Sequence, residues 1–466
     1  MSTLTTSNNP AVSEEGALKR FLRATEIDTR MLGMIAALIV IWVGFDVYSG
    51  LLRHGDGLLG GSFLTARNIW ILMVQTSTIA VMTTGMVLVI VLRQIDLSVG
   101  SMLSIIAVAT GVLQVYNLGP MLGLGHPAIW IIAVIFAVAL GGLIGSFNGV
   151  LIAYGQIPSF IVTLGGLIAF SGTAFLIASG VTVAPMDKTF KIIGGNGPSA
   201  SIGPFWSWVL GAAACIVIVL AILNGRRQRV RFNFPLRPVW AECFLAFVGS
   251  AVVLGTTALV NAYLWPPKVV EQYALDNHIT IPDGIENKDG SAICMAGGKV
   301  IRCIGGLSYQ TGYPIPVLIA LTVGFIMTFI AMRTRFGRYI FATGGNPEAA
   351  ELAGINTKWL TVKVFALMGS MVGVSAIIAS ARLDAATTAL GTLSELYVIA
   401  AAVIGGTSLA GGVGTIYGAI LGALLMQSLQ SGMALLNLDS AYTNIVVGVV
   451  LVFAVWIDQV YRRRVK

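Results

Sequence analysis

Long apolar runs alternate with short polar stretches along almost the whole chain, and each run is close to the length a helix needs to cross a bilayer. Helix rise is about 1.5 Å per residue, so roughly 20 residues cover about 30 Å of hydrocarbon, where no water satisfies free backbone groups. Twelve runs reach that length, at approximately 31–50, 69–92, 96–116, 128–152, 159–180, 205–223, 240–264, 314–332, 363–381, 393–411, 414–434 and 441–457. They predict an all-α, polytopic transmembrane helical bundle of about 10–12 spans. Two joints set that range. Only Arg93, Gln94 and Ile95 separate the second and third runs, and only Gly411, Gly412 and Val413 the tenth and eleventh, so either joint is open to a broken or re-entrant helix.

Positive charge orients the bundle. With the N-terminus inside, the cytoplasmic pieces hold 19 of the 28 Lys and Arg residues and the opposite side nine, which predicts that both termini are cytoplasmic. The chain then divides into a cytoplasmic tail (1–30), a transmembrane domain (31–460) and a short cytoplasmic tail (461–466). The domain carries a cytoplasmic loop at 333–362 and a long polar external insertion at 265–313. The first run follows Lys19, Arg20, Arg23 and Arg30 with no small-residue cleavage site after it, and reads as an uncleaved span.

Composition agrees with a bilayer as solvent: 56% of the residues are hydrophobic, 10% are charged and the mean hydropathy is +0.87, against about 25% charge in soluble domains. The net charge of +8 does not point to nucleic acid, because the basic residues fall between apolar runs instead of clustering on one face. Arg226, Arg227, Arg229, Arg231 and Arg237 form a basic cytoplasmic turn expected to anchor against anionic lipid headgroups, with contact to a partner ATPase as the alternative. The four cysteines have no metal-ligand spacing, and no metal site is expected. Gly141, Gly145 and Gly149, and again Gly414, Gly418 and Gly422, recur every four residues and predict close helix–helix packing.

A carrier driven by protons or sodium needs ionisable or coordinating groups near mid-bilayer. Here Asp46, Glu242, Asp96 and Asp458 sit at span ends or borders, and only Glu395 lies in an ambiguous, re-entrant or spanning segment, where its plainer reading is an interfacial carboxylate near Arg382. That pattern favours a neutral solute and an external energy source. No Gly-x-x-x-x-Gly-Lys-Ser/Thr loop exists to bind ATP, since Gly298-Lys299 is followed by Val300. His54, His126 and His278 lie in three separate loops, which argues against a membrane enzyme.

The 333–362 loop is the natural docking surface for a separate energy source. Asn346 suits a helix cap, Pro347 a first turn, Glu348 the positive dipole end and Gly354 a stop, which predicts a short helix over about 347–353. Phe336, Gly337, Arg338, Ala342, Gly344, Gly345, Asn346, Ala349, Ala350, Gly354 and Ile355 match the coupling-loop pattern of a known family. The chain resembles the permeases of bacterial ABC importers for ribose, xylose and related monosaccharides, most closely the xylose-type branch. Asp96, Leu97, Ser98 and Gly100 in Ile95–Ser101, the Ile157–Gly165 stretch and the turn around 403–415 carry the same resemblance. Where the family usually shows Gly-Gly before the Ile-Asp-Leu-Ser motif, this chain has Arg93-Gln94, a departure that bears on local loop shape.

The resemblance implies a transport subunit of the bacterial inner membrane with no ATPase site or bound cofactor of its own, ATP and magnesium being held by a partner ATPase. It further implies a periplasmic sugar-binding protein, a second permease copy in a homodimer and a monosaccharide substrate. Gln75, Thr76, Asn148, Thr163 and Ser171 are candidate sugar contacts, with interhelical hydrogen bonding as their alternative. Cys294 and Cys303 are a candidate disulfide in an oxidising periplasm, or else two free thiols. A permease for branched-chain amino acids or nucleosides and an ion-coupled secondary transporter are the competing readings.

Overall fold

The structure, a computed structural model, describes residues 21, 24–26, 29–51, 61–266, 269, 285–288, 291–296, 299–302 and 310–465. Each of the twelve apolar runs contains a helix. The first five spans are α1 (Thr29–Ser49), α2 (Ala66–Val91), α3 (Val99–Leu122), α4 (Pro127–Ala153) and α5 (Ser159–Ala178), and α3 passes through a π-helical stretch at Leu113–Leu118. There follow α6 (Gly203–Arg231), α7 (Val239–Ala262) and α8 (Ile315–Arg333). Two short helices, α9 (Arg335–Gly345) and α10 (Pro347–Leu352), precede α11 (Thr357–Leu383), α12 (Ser394–Ile404), α13 (Ile416–Leu435) and α14 (Ser440–Val465).

Among the described residues ten helices are long and apolar enough to cross a membrane, which makes this a multi-pass membrane protein. The other two runs fall short. α12 is helical for only 11 residues, and the apolar part of α14 is Ala441–Phe453. The tenth run loses its helix at Gly405, because Gly406, Gly411 and Gly412 take positive φ values and fold 405–415 into a turn that leads into α13. The joint after α2 is broken as well. Arg93 adopts φ 62°, and the chain runs without helix from 94 to 98 before α3 begins.

α2 lies at the centre, buried on every side from Thr76 to Val91, and packs against α8, α11, α12 and α13. A helix apolar all round has no solvent face to offer and belongs inside. α4 and α11 meet along the first glycine row. A methyl on Gly141 would enter the Gly369 carbonyl oxygen, and one on Gly145 the Phe365 carbonyl oxygen. The second row does the same work between α13 and α12, with Gly418 against the Gly405 carbonyl and Gly422 against that of Ala401. Within 265–313 the backbone forms a small antiparallel sheet in the order β1 (Ile285–Lys288), β2 (Ser291–Ala296), β3 (Lys299–Arg302), an element the sequence reading did not foresee. The Cys294–Cys303 pairing lies outside the described residues.

Candidate functional site

The matched loop is two capped helices at one end of the bundle. The Thr334 hydroxyl caps α9 by accepting from the Gly337 amide (3.2 Å), and Gly337 has no side chain because a methyl there would overlap the carbonyls that end α8. Gly337, Ile340, Thr343 and Gly344 form the buried face of α9, with Phe336 half-buried beside the core, whereas Arg338 is exposed. Arg338 borders a cleft of about 410 Å³ between α8, α9 and the start of α13, together with Thr328, Met332, Phe341, Thr415 and Tyr417. Residues 335–345, expected as part of the cytoplasmic loop, form α9 instead. The 337, 340, 344 spacing and the Thr334 cap were its legible signals.

α10 is the predicted helix, one residue shorter. The Asn346 carboxamide accepts from the Ala349 amide (3.1 Å), Pro347 occupies the first turn, and Glu348 lies at the positive end of the helix. At the other end Gly354 takes φ +84°, its amide bonding Glu351 (2.9 Å) and that of Ile355 bonding Ala350 (3.1 Å), a Schellman stop. Ala350 is buried while Pro347, Glu348 and Ala349 are exposed. Leu352, which the sequence does not single out, is 90% exposed and is the one large apolar side chain on this helix.

Behind this pair lies the Asp96 motif. Residues 94–98 form a strap over the last turns of α4 and the first turns of α5, with the Ile95 amide donating to Ser159 Oγ (3.2 Å) and Thr163 Oγ1 donating to the carbonyls of Ser159 (2.9 Å) and Ile95 (3.4 Å). Asp96 lies at the border between two spans, as expected, and is fully buried there. Its Oδ1 accepts from the Ser98 amide (2.9 Å) and hydroxyl (2.6 Å), and its Oδ2 has no hydrogen-bond partner among the described residues. Asn148 Nδ2 donates to Ser98 Oγ (3.2 Å), which joins α4 to the strap. Leu97 is half-buried in the strap. Gly100, in the first turn of α3, abuts Gly391 and the Glu395 carboxylate.

The five candidate sugar contacts therefore separate. Asn148 and Thr163 meet at the strap. Gln75 accepts from Gln427 across α2 and α13 (3.0 Å), Thr76 bonds back to Leu72 of its own helix (2.7 Å), and Ser171 faces outward on α5. The reading also passed over Thr110 and Gln114. Both are buried on α3, and among the described residues the Thr110 hydroxyl and both Gln114 amide atoms have no partner.

Two charge expectations are corrected. Glu395 is buried against Gly100 and forms no ion pair with Arg382, because α12 starts deep against α3 and not at the end of α11. In the basic turn, Arg226 pairs with Glu242 (2.8 Å), while Arg229 (2.6 Å) and Arg237 (2.8 Å) both pair with Glu26. Three of the five arginines thus pair with protein carboxylates. Hydrogen bonds from Arg229 and Arg237 hold the Glu26 carboxyl down at about 2.

Comparison with known proteins adds the ancestry. The family described as "Branched-chain amino acid transport system / permease component" matches residues 68–229 and 236–455. The chain is 34% identical over 431 residues to the xylose transport system permease protein of Escherichia coli (strain K12), covering 92% of each chain. It is 33% identical over 425 residues to the xylose transport system permease protein of Haemophilus influenzae, covering 91% of this chain and 95% of that one. The ribose import permease protein of Escherichia coli (strain K12) is 29% identical over 401 residues, covering 86% and 88%. No solved structure matches the chain. The match takes in α2 to α13, the strap and both short helices, and by that extent the chain belongs to the branched-chain amino acid transport system permease component family.

Proposed function

We propose that this chain is the membrane-spanning permease subunit of an ATP-driven importer for monosaccharides, xylose or a related pentose or hexose, in a bacterial inner membrane. It provides the pathway, with α9 and α10 on the cytoplasmic side. A separate ATPase subunit holds ATP and magnesium, a periplasmic binding protein delivers the sugar, and a second copy of the chain completes the assembly. The observation that carries the docking role is α10: a helix capped at both ends, seated by Ala350, that offers Leu352 to a groove on a partner. Xylose and ribose name the relatives' substrates, and both are neutral polyols suited to amide and hydroxyl groups such as those of Asn148, Ser98 and Gln114.

Uptake of labelled pentoses and hexoses by a permease-deleted strain carrying this chain tests the substrate, and absence of any monosaccharide uptake overturns the sugar reading. Docking is tested with Leu352→Glu, whose side chain points away from the bundle, so that lost co-purification of the ATPase reports the partner surface. Undiminished association overturns it. Uptake that persists without an ATP-hydrolysing partner returns the reading to an ion-coupled carrier, with Asp96 and Glu395 as the groups to neutralise.

A further inference from the structure

The end of α2 is closed by a residue whose backbone and side chain make opposite demands. The Arg93 amide bonds the Ile90 carbonyl (2.8 Å) and the Gln94 amide bonds the Val89 carbonyl (3.1 Å), which puts Arg93 at the left-handed position of a Schellman stop with φ 62°. Glycine fills that position without strain, and an arginine there is disfavoured by its Cβ. The side chain offsets that cost elsewhere. Arg93 Nε donates to the Gly344 carbonyl (2.7 Å) and Nη2 to the Gly345 carbonyl (2.6 Å), the last two residues of α9, whose carbonyls have no partner within the helix. Its methylenes lie against Gly411, where a Cβ would overlap Arg93 Cγ, and the neighbouring Gly412 amide donates to the Val91 carbonyl (2.9 Å). One guanidinium therefore joins the ends of α2 and α9, with the α12–α13 turn closed over it.

We infer that Arg93 is the positioning residue that transmits movement of the docking helices into the translocation bundle: it fixes the end of α9 to the end of α2, three residues before the buried Asp96. This deepens the permease reading and rests on α10 being the partner-facing helix. Apart from Arg93, the end of α9 meets the end of α2 through the close packing of Gly344 on the Val91 carbonyl. That contact is non-directional, so a pull along α9 reaches the strap mainly through the two hydrogen bonds. Lysine reaches only one carbonyl at a time, because its ammonium lacks the guanidinium's two-pronged geometry.

The test compares Arg93→Gly and Arg93→Lys with the parent in the assembled transporter and in the permease alone. Glycine relieves the backbone, so Arg93→Gly is expected to fold and to retain the ATPase subunit within about twofold of the parent. Stimulation of ATP hydrolysis by sugar-loaded binding protein should fall by a factor within the roughly 5- to 150-fold range of an inter-site coupling, with Arg93→Lys intermediate. In the permease alone, amide exchange at 342–346 and at Gly412 should accelerate in Arg93→Gly and not in Leu352→Glu. Full stimulation in Arg93→Gly overturns the inference, as does loss of ATPase retention in that variant, and unchanged exchange would show that the guanidinium does not hold α9. Failure of the permease reading appears separately, as ATPase association that is indifferent to Leu352.

Discussion

The α4–α11 seam predicts opposite signs for one substitution at two transmembrane glycines. At Gly141 a methyl would enter the Gly369 carbonyl oxygen and lie 2.9 Å from its carbon and 3.2 Å from the Gly373 nitrogen. All three are backbone atoms of a packed helix and cannot rotate away. Normal contact begins at about 3.5 Å, so Gly141→Ala must push the helices apart by about 1 Å locally and forfeit a quarter to a half of the dispersion attraction there. Overpacking of this kind costs about 1–3 kcal/mol, and the helix preference for alanine returns only about 0.5–1 kcal/mol. At Gly165 on α5 an added Cβ meets nothing within 4 Å, so only the helix preference acts. Gly141→Ala is therefore expected to destabilise by about 1–2 kcal/mol net, and Gly165→Ala to stabilise by about 0.5–1 kcal/mol. Thermal unfolding of the two variants in one detergent, followed by tryptophan fluorescence, measures the difference. Equal shifts, or a more stable Gly141→Ala protein, would refute backbone-on-backbone packing at this seam.

Ser98→Ala removes the hydroxyl that donates to Asp96 and accepts from Asn148, leaving two buried polar groups short of a partner. A loss of about 1–3 kcal/mol is expected in denaturant titration. Leu352→Ala leaves the permease fold unchanged and deletes three carbons from the proposed docking surface, worth about 2 kcal/mol if fully covered. Affinity for the ATPase should weaken about 30-fold in a surface-binding assay. Glu26, held near 2 against an ordinary 4.5, contributes its pairing at pH 7 and loses it as pH falls from about 4.5 towards 2. Quenching of Trp240, against which Phe21 packs at 6.0 Å, should report release of the N-terminal segment over that range, and Glu26→Gln should abolish the transition.

Much of the fold is legible in the sequence because the bilayer imposes a run length. All twelve apolar runs contain a helix, and both suspect joints, at 93–95 and 411–413, are non-helical. The glycine rows were readable for the same reason, since only close approach accounts for a four-residue repeat of the smallest residue. Other features depended on chain-distant partners. Arg229 and Arg237 look like lipid anchors until Glu26, about two hundred residues away, supplies their counter-charge. Asp96 sits at a joint, where a carboxylate is ordinarily wet, and only the folding of the strap onto α4 and α5 buries it. α9 escaped because Arg335, Arg338, Tyr339 and two terminal glycines dilute its apolar stripe to three or four positions. α10 was readable from its caps. Leu352 was not, because exposure is a property of the assembled surface.

The departure at Arg93-Gln94 bears most on how the two halves of the site communicate. Glycine would meet the left-handed position at 93 without strain, so what Arg93 adds there is its side chain's connection to α9. α9 is 11 residues long, about 16 Å, and carries α10 at one end by way of Asn346. Arg93 grips that same end, so any displacement of α10 is felt at α2 with almost no lever arm between them. α2 itself cannot yield, being buried on every side from Thr76 to Val91 and packed against helices all around it. The strap at 94–98 can, because it is non-helical between the α2 stop and the start of α3 and is tied to α4 and α5 by single hydrogen bonds to Ser159, Thr163 and Asn148. The displacement must then be absorbed where Asp96 and Ser98 lie, and those are the buried polar groups that line the start of α3.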